Sequence, residues 1–67
     1  MSLAFSSIRV GKRYYLTNYG ERSEFEVLEV LGRSDFALKD LHTLEKYRMS
    51  ELIKFGQGKD YSLWEIE

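Results

Sequence analysis

The chain of 67 residues contains no cysteine, no proline and only one histidine. The absence of cysteine excludes disulfide staples, thiolate zinc sites and a cysteine nucleophile together. It is compatible with a reducing compartment, and the cytoplasm is the default location. Long apolar runs are also missing. No stretch approaches the ~20 consecutive apolar residues of a membrane span, so no membrane partner is expected. The segment Met1 to Ser7 lacks a basic start followed by an apolar run, and it does not read as a signal peptide. Nor is there an excess of one charge: ten basic residues face eleven acidic ones, for a formal net charge of -1. A nucleic-acid module typically has an isoelectric point above about 9, so this balance weighs against nucleic acid as the partner.

What is present is apolar and ring-rich. Hydrophobic residues make up 43% of the chain and aromatic ones 15%, with four Phe, five Tyr and one Trp. That is too apolar for a disordered tail. A chain this short buries only about 60% of the surface its unfolded form exposes, so its core must be dense. One domain over 1–67 is expected, with 1–7 mobile. The charge is unevenly spread. Residues 1–20 carry Arg9, Lys12 and Arg13 with no acid. Residues 21–31 carry Glu21, Glu24, Glu26 and Glu29 against Arg22.

The pattern along the chain is of short strands between turns. A first strand is predicted over Lys12 to Asn18, with Tyr14 and Leu16 on one face and Arg13, Tyr15 and Thr17 on the other. Asn18-Tyr19-Gly20 is a turn signal, with Gly20 free to take positive φ. Glu21 to Glu24 reads as an exposed loop. The second strand runs from Phe25 to Leu31. Its alternation slips, because Phe25 and Val27 share a face while Leu28 and Val30 fall on the other. A bulge near Leu28 reconciles them. The same segment contains good helix formers, but its shortness and its Phe and Val content favour a strand. A third strand spans Asp35 to Asp40, with Phe36 and Leu38 inward. A tight connection leads to a fourth over Leu44 to Met49. Ser50 then reads as a helix N-cap and Gly56 as the stop of a one-turn helix. A flexible loop follows, and Tyr61 to Ile66 forms the last strand.

Five short strands with one helical turn before the last make a mainly β fold, a small barrel, closed or half-closed. The Ile8-x-Val10-Gly11 opening, the bent strand Phe25 to Leu31, the hairpin Phe36 to Met49, the turn Ser50 to Phe55 and the strand Tyr61 to Ile66 carry a resemblance. Their order resembles the Src-homology-3-like small barrels, Tudor-like domains among them. The resemblance is one of topology. The Ala-Leu-Tyr-Asp-Tyr type of opening and the Trp-Trp pair of proline-peptide binders are absent. In Tudor-like relatives an aromatic cage with an acid holds a methylated cation, but three rings and an acid cannot be assigned to one site here. Phe36-Ala37-Leu38-Lys39-Asp40, Thr43-Leu44-Glu45, Gly58-Lys59-Asp60-Tyr61 and Trp64-Glu65-Ile66 also resemble small uncharacterised bacterial proteins, which implies no activity.

Catalytic and metal chemistry fails on residue count. His42 is the only imidazole, and Asp40, His42 and Glu45 offer too few ligands for a cation. Asp40 reads as the cap of a hairpin and His42 as solvated. No Ser stands in a strained strand-to-helix elbow to complete a triad. Gly58-Lys59 lacks the partners of a phosphate loop, since Ile53 and Asp60 occupy the required positions. Glu24 and Glu26 read as the wet face of a strand. No enzyme, metal or cofactor is therefore expected.

The ten rings outnumber what so small a core requires. Phe25, Phe36, Tyr47, Phe55 and Tyr61 are the expected core. Tyr15, Tyr19 and Trp64 fall on the opposite phase or in a turn. Tyr15 and Trp64 are expected to share an exposed patch where the first and last strands approach, rimmed by Lys12, Arg13 and Lys46. Such a patch can grip a peptide or stack on bases. Strand edges offer a second route, to a peptide strand or to a second copy of the chain. A chain without staples often gains stability by such self-association. The expectation is thus a non-catalytic module that binds a protein or peptide, or itself. The alternative is a nucleic-acid-binding barrel using Lys12, Arg13, Lys39, Lys46 and Arg48.

Overall fold

The computed structural model describes residues 2–66. Five strands form one antiparallel sheet: β1 (Arg13–Asn18), β2 (Glu21–Leu31), β3 (Asp35–Asp40), β4 (Lys46–Arg48) and β5 (Ser62–Glu65), in the order β4-β3-β2-β1-β5. A one-turn helix, α1 (Met49–Leu52), precedes the last strand. The mainly β class and the helical turn before the last strand are as expected, and a further 3-10 turn spans Phe5–Ser7. The sheet is not closed, however. Its two edge strands, β4 and β5, do not pair with each other, so an open sheet stands in place of the expected barrel. No helix among the described residues is long and apolar enough to cross a membrane.

The hairpin β1–β2 begins immediately. Asn18 pairs with Glu21 across a two-residue turn in which Tyr19 (φ 50°) and Gly20 (φ 77°) are both left-handed. Two positive φ values match the twist of the flanking strands, which is why such turns close tight hairpins. Pairing from the first residue draws Glu21 to Glu24 into β2, and this corrects the loop expected there. Turn geometry outweighs the polar composition of the segment. Further along β2 the register steps from Val27↔Leu38 to Glu29↔Ala37, leaving Leu28 as a bulge. The slip in alternation has that cause. Val30 nevertheless stays 52% exposed, beyond the rim of the core.

The inner face follows the period-2 pattern. Tyr14 and Leu16 on β1, Phe25 and Val27 on β2, Phe36 and Leu38 on β3 and Leu63 on β5 are all buried, joined by Ile8 and Met49. Tyr47 and Tyr61 pack half-buried against this cluster. Met49 is fully buried as the first residue of α1 rather than the last of β4. Ser50 is not the N-cap. Arg48 holds that position, and its N–H is taken by the Glu51 carboxylate at 3.0 Å. Ser50 instead gives its N–H and hydroxyl to the two oxygens of Asp35, each at 3.0 Å. Phe55 is the clear departure. Expected in the core, it lies past the end of α1 and is 78% exposed.

Of the stretch 1–7, Met1 lies outside the described residues. The remainder runs over the sheet. The Leu3 N–H donates to the Leu63 carbonyl at 2.7 Å. The Phe5 ring meets Phe36 edge-on at 6.1 Å. One end of this segment thus touches edge strand β5 and the other touches β3.

Candidate functional site

The outer face of the sheet carries the candidate residues in an order set by register. Tyr15 on β1 lies opposite Trp64 on β5 and, on its other side, opposite Glu24 on β2. Directly opposed residues on one face are neighbours, so β1 and β5 place Tyr15 and Trp64 side by side where the first and last strands meet. Both are half-buried. One step along, Thr17 pairs with Arg22. From there the Arg22 guanidinium reaches diagonally over the Tyr15 ring, 3.9 Å from its centre. Its position is fixed from below as well, because Nη2 and Nε donate to Oε2 of Glu24 at 2.8 and 3.2 Å. The other oxygen of Glu24 meets Nε2 of His42 at 2.5 Å. The His42 hydrogen bond, with that of Arg22 next, holds the Glu24 carboxyl below its usual 4.5. Trp64, Tyr15, Arg22, Glu24 and His42 thus form one continuous strip over β5, β1, β2 and the β3–β4 connection.

His42 is held by its own turn. Asp40 Oδ1 accepts the N–H groups of His42 and Thr43 at 2.7 and 2.9 Å. Those two bonds, Thr43 first, lower the Asp40 carboxyl from its usual 3.8. The hairpin-cap role expected of Asp40 is what the geometry shows. No group of three or more His, Cys, Asp or Glu side chains among the described residues is placed to hold a metal ion.

The expected rim divides. Arg13 projects beside Tyr15, and its Nε lies 3.8 Å from a Glu26 oxygen. Lys12 lies 3.5 Å from Glu65. Lys46 is three strands away on β4, opposite Lys39, at the far edge of the sheet from Trp64. Tyr19 is not part of the strip. It sits in the β1–β2 turn and donates its hydroxyl to the Phe55 carbonyl at 2.8 Å. Sequence reasoning missed Arg22 and Glu24 as members of the strip, having placed Arg22 in a loop and read Glu24 as the loop's end or a solvated strand position. The turn signal at Asn18-Tyr19-Gly20 was the available clue, since a two-residue turn pairs residue 21 at once.

The end of the fold containing Tyr19 is a pinned loop. The buried Asn18 side chain donates to the carbonyls of Leu52 and Gly56 at 3.1 and 3.0 Å and accepts the Gly58 N–H at 2.7 Å. The Asp60 carboxylate accepts the N–H groups of Tyr19 and Gly20 at 2.9 and 2.7 Å. The loop from 53 to 61 is therefore tied to the β1–β2 turn at several points, which fixes the exposed Phe55 beside Tyr19.

The sheet edges are differently protected. β4 is three residues long with charges at Lys46 and Arg48, and the N–H of Arg48 is already taken by Glu51. The Leu63 carbonyl of β5 is taken by Leu3. Short, charged or covered edges are how sheets avoid adding a strand.

Comparison of the chain with models of protein families, with curated proteins and with solved structures finds no match.

Proposed function

We propose that this chain is a non-catalytic interaction module that binds a protein partner through the Trp64–Tyr15–Arg22 strip on the outer face of its sheet. The observation that carries the reading is the register pairing of Tyr15 with Trp64, with the Arg22 guanidinium stacked 3.9 Å above the Tyr15 ring. Aromatic rings and arginine dominate the energetics of protein interfaces; tyrosine and tryptophan do so with large contact area and few rotamers to freeze, whereas arginine has more to lose. Here Glu24 fixes Arg22 in advance, so less ordering cost remains for a partner to meet. Between the two routes expected from the sequence, a face or an edge, the blunted edges favour the face.

Immobilised parent protein and a Tyr15→Ser/Trp64→Ser variant, compared for the partners they retain, test this reading. The variant is expected to lose the specific partners of the parent. Unchanged partners, with the variant folded, would overturn it.

One observation favours the nucleic-acid alternative. Lys39 and Lys46 oppose each other on β3 and β4, with Arg48 next along the edge. Neither lysine has an ion-pair partner among the described residues. Against it, Lys12 and Arg13 are already matched by Glu65 and Glu26. Titration of a labelled single-stranded oligonucleotide at rising salt separates the readings. A phosphate-driven mode weakens steeply with salt and is abolished by Lys39→Glu/Lys46→Glu. No binding at low salt removes this alternative.

A further inference from the structure

The exposed Phe55 and Tyr19 border a groove of about 510 Å³ between the β1–β2 turn and α1. Its floor is apolar, from Leu16 and Leu52, and carboxylates stand on both sides, Glu21 from β2 and Glu51 from α1. Glu21 has no ion-pair partner among the described residues. Glu51 spends one oxygen on Arg48. Lys54 is the single cation on the lining, and its Nζ sits 5.2 Å over the Phe55 ring. The groove is half open to solvent, and its volume falls within the ~300–1,000 Å³ of ligand-sized clefts. An apolar floor between two acids suits an occupant that presents a small apolar side chain flanked by cations.

Such an occupant exists at the other end of β1. Arg9-Val10-Gly11-Lys12 is a tight turn closed by the Lys12 N–H on the Arg9 carbonyl at 3.3 Å, with Gly11 at φ 87°. This is a turn with glycine where a left-handed residue is required, and it pushes Val10 outward, 54% exposed, between Arg9 and Lys12. The turn is anchored to the sheet, since the Gly11 N–H donates to the Val27 carbonyl at 2.8 Å. The six residues of β1 separate turn and groove by roughly 20 Å at ~3.3 Å per residue. A molecule therefore cannot fill its own groove.

We infer that the groove receives the Arg9–Lys12 turn of a second copy of this chain, head to tail. Val10 enters over Phe55 and Leu52. Arg9, whose Nη1 also donates to the Ser6 and Ile8 carbonyls at 2.8 and 3.1 Å, faces Glu21. Lys12 exchanges its solvent-exposed 3.5 Å pairing with Glu65 for Glu51. A reciprocal exchange of turns closes a dimer, and a single exchange leaves a chain that can extend. The contact is separate from the Tyr15–Trp64 strip and does not depend on the function proposed for it.

Sedimentation over a concentration series tests the inference, with far-ultraviolet circular dichroism to confirm that each variant is folded. The parent is expected to self-associate. Glu21→Lys, Phe55→Ser and Arg9→Glu are each expected to weaken that association about tenfold or more, since like charges at an interface are costly. Mixing Glu21→Lys with Arg9→Glu is expected to restore association between the two variants. A parent that stays monomeric up to about 1 mM, the weak end of specific binding, would overturn the inference while leaving the outer-face reading intact. Association that survives Glu21→Lys and Phe55→Ser but is lost in Tyr15→Ser/Trp64→Ser would assign the contact to the outer face and overturn it. So would a mixture that fails to associate.

Discussion

The Gly58 N–H donates to the side-chain oxygen of Asn18 at 2.7 Å, across forty residues of chain. The amide nitrogen of the same Asn18 donates to the carbonyls of Leu52 and Gly56. Asn18 is 6% exposed and closes the end of the core with all three bonds made to backbone. Asn18→Leu leaves two carbonyls and an N–H without their partner in a site shielded from water. Each such orphan costs roughly 1–3 kcal/mol, less what water regains at the rim. The expected loss is about 2–4 kcal/mol in urea unfolding, with the denaturant slope unchanged. A loss under about 0.5 kcal/mol would mean that the loop is held by other contacts.

The same residue marks where the sequence is readable and where it is not. Period-2 alternation exposes the inner residues of β1 and β3, because a strand half in water must place Tyr14, Leu16, Phe36 and Leu38 on one side. The break in that alternation locates the bulge at Leu28. The opposition of Tyr15 and Trp64 follows once the first and last strands are taken as neighbours. The polar stretch 21–24 is opaque, because a turn two residues long, not side-chain chemistry, makes it a strand. Phe55 is opaque for a related reason. Its place is decided by where α1 stops and where Asn18 and Asp60 tie the loop, both contacts remote in sequence. The strip gains Arg22 and Glu24 only through that same unread pairing.

Asp60 gives the fold a measurable response to acid. Its carboxylate accepts the Gly20 and Tyr19 N–H groups, and these bonds, Gly20 first, hold its carboxyl below the usual 3.8. Folding therefore favours the ionised form. The contribution is present above about pH 4 and is lost as pH falls through the depressed folded value. Asp60→Asn keeps an acceptor oxygen and removes the titration. Melting temperatures of the two proteins from about pH 7 to 2 are expected to converge at the acid end. Glu24, Asp35 and Asp40 are also depressed, so the variant keeps some acid sensitivity of its own. Parallel curves would show that Asp60 contributes nothing to it.

Tyr47 places its hydroxyl in the interior with no hydrogen-bond partner among the described residues. Burial, then the nearby Asp40 and Glu51 carboxylates, pushes the phenol up to about 12. An unpartnered buried hydroxyl is a cost that phenylalanine does not carry. Tyr47→Phe is expected to leave stability unchanged or raise it by up to about 1 kcal/mol. The alkaline limb has a definite sign. The folded state favours the neutral phenol, so this contribution holds below the usual 10 and is lost as pH rises toward 12. Burial also raises Tyr61, so tyrosinate absorbance should lose one of its late-titrating rings in Tyr47→Phe. A destabilised variant would indicate a water-mediated partner for the hydroxyl.

Gly58 is small because Tyr19 leans on it. A Cβ at this position would stand 3.0 Å from two ring carbons of Tyr19 and 3.2 Å from Oδ1 of Asn18. Its φ lies outside the left-handed region, so the backbone itself accepts alanine. The clash alone decides the outcome. Tyr19 is 57% exposed and has room to swing outward, but doing so breaks its hydroxyl bond to the Phe55 carbonyl. Gly58→Ala is expected to cost about 1–2 kcal/mol, the usual range for forcing a methyl into an occupied space. Removing the ring first should relieve it. In the Tyr19→Ala background the same substitution is expected to cost less by at least about 0.5 kcal/mol, a coupling that a double-mutant cycle resolves. Additive effects would mean that the methyl is resisted by Asn18 rather than by the ring.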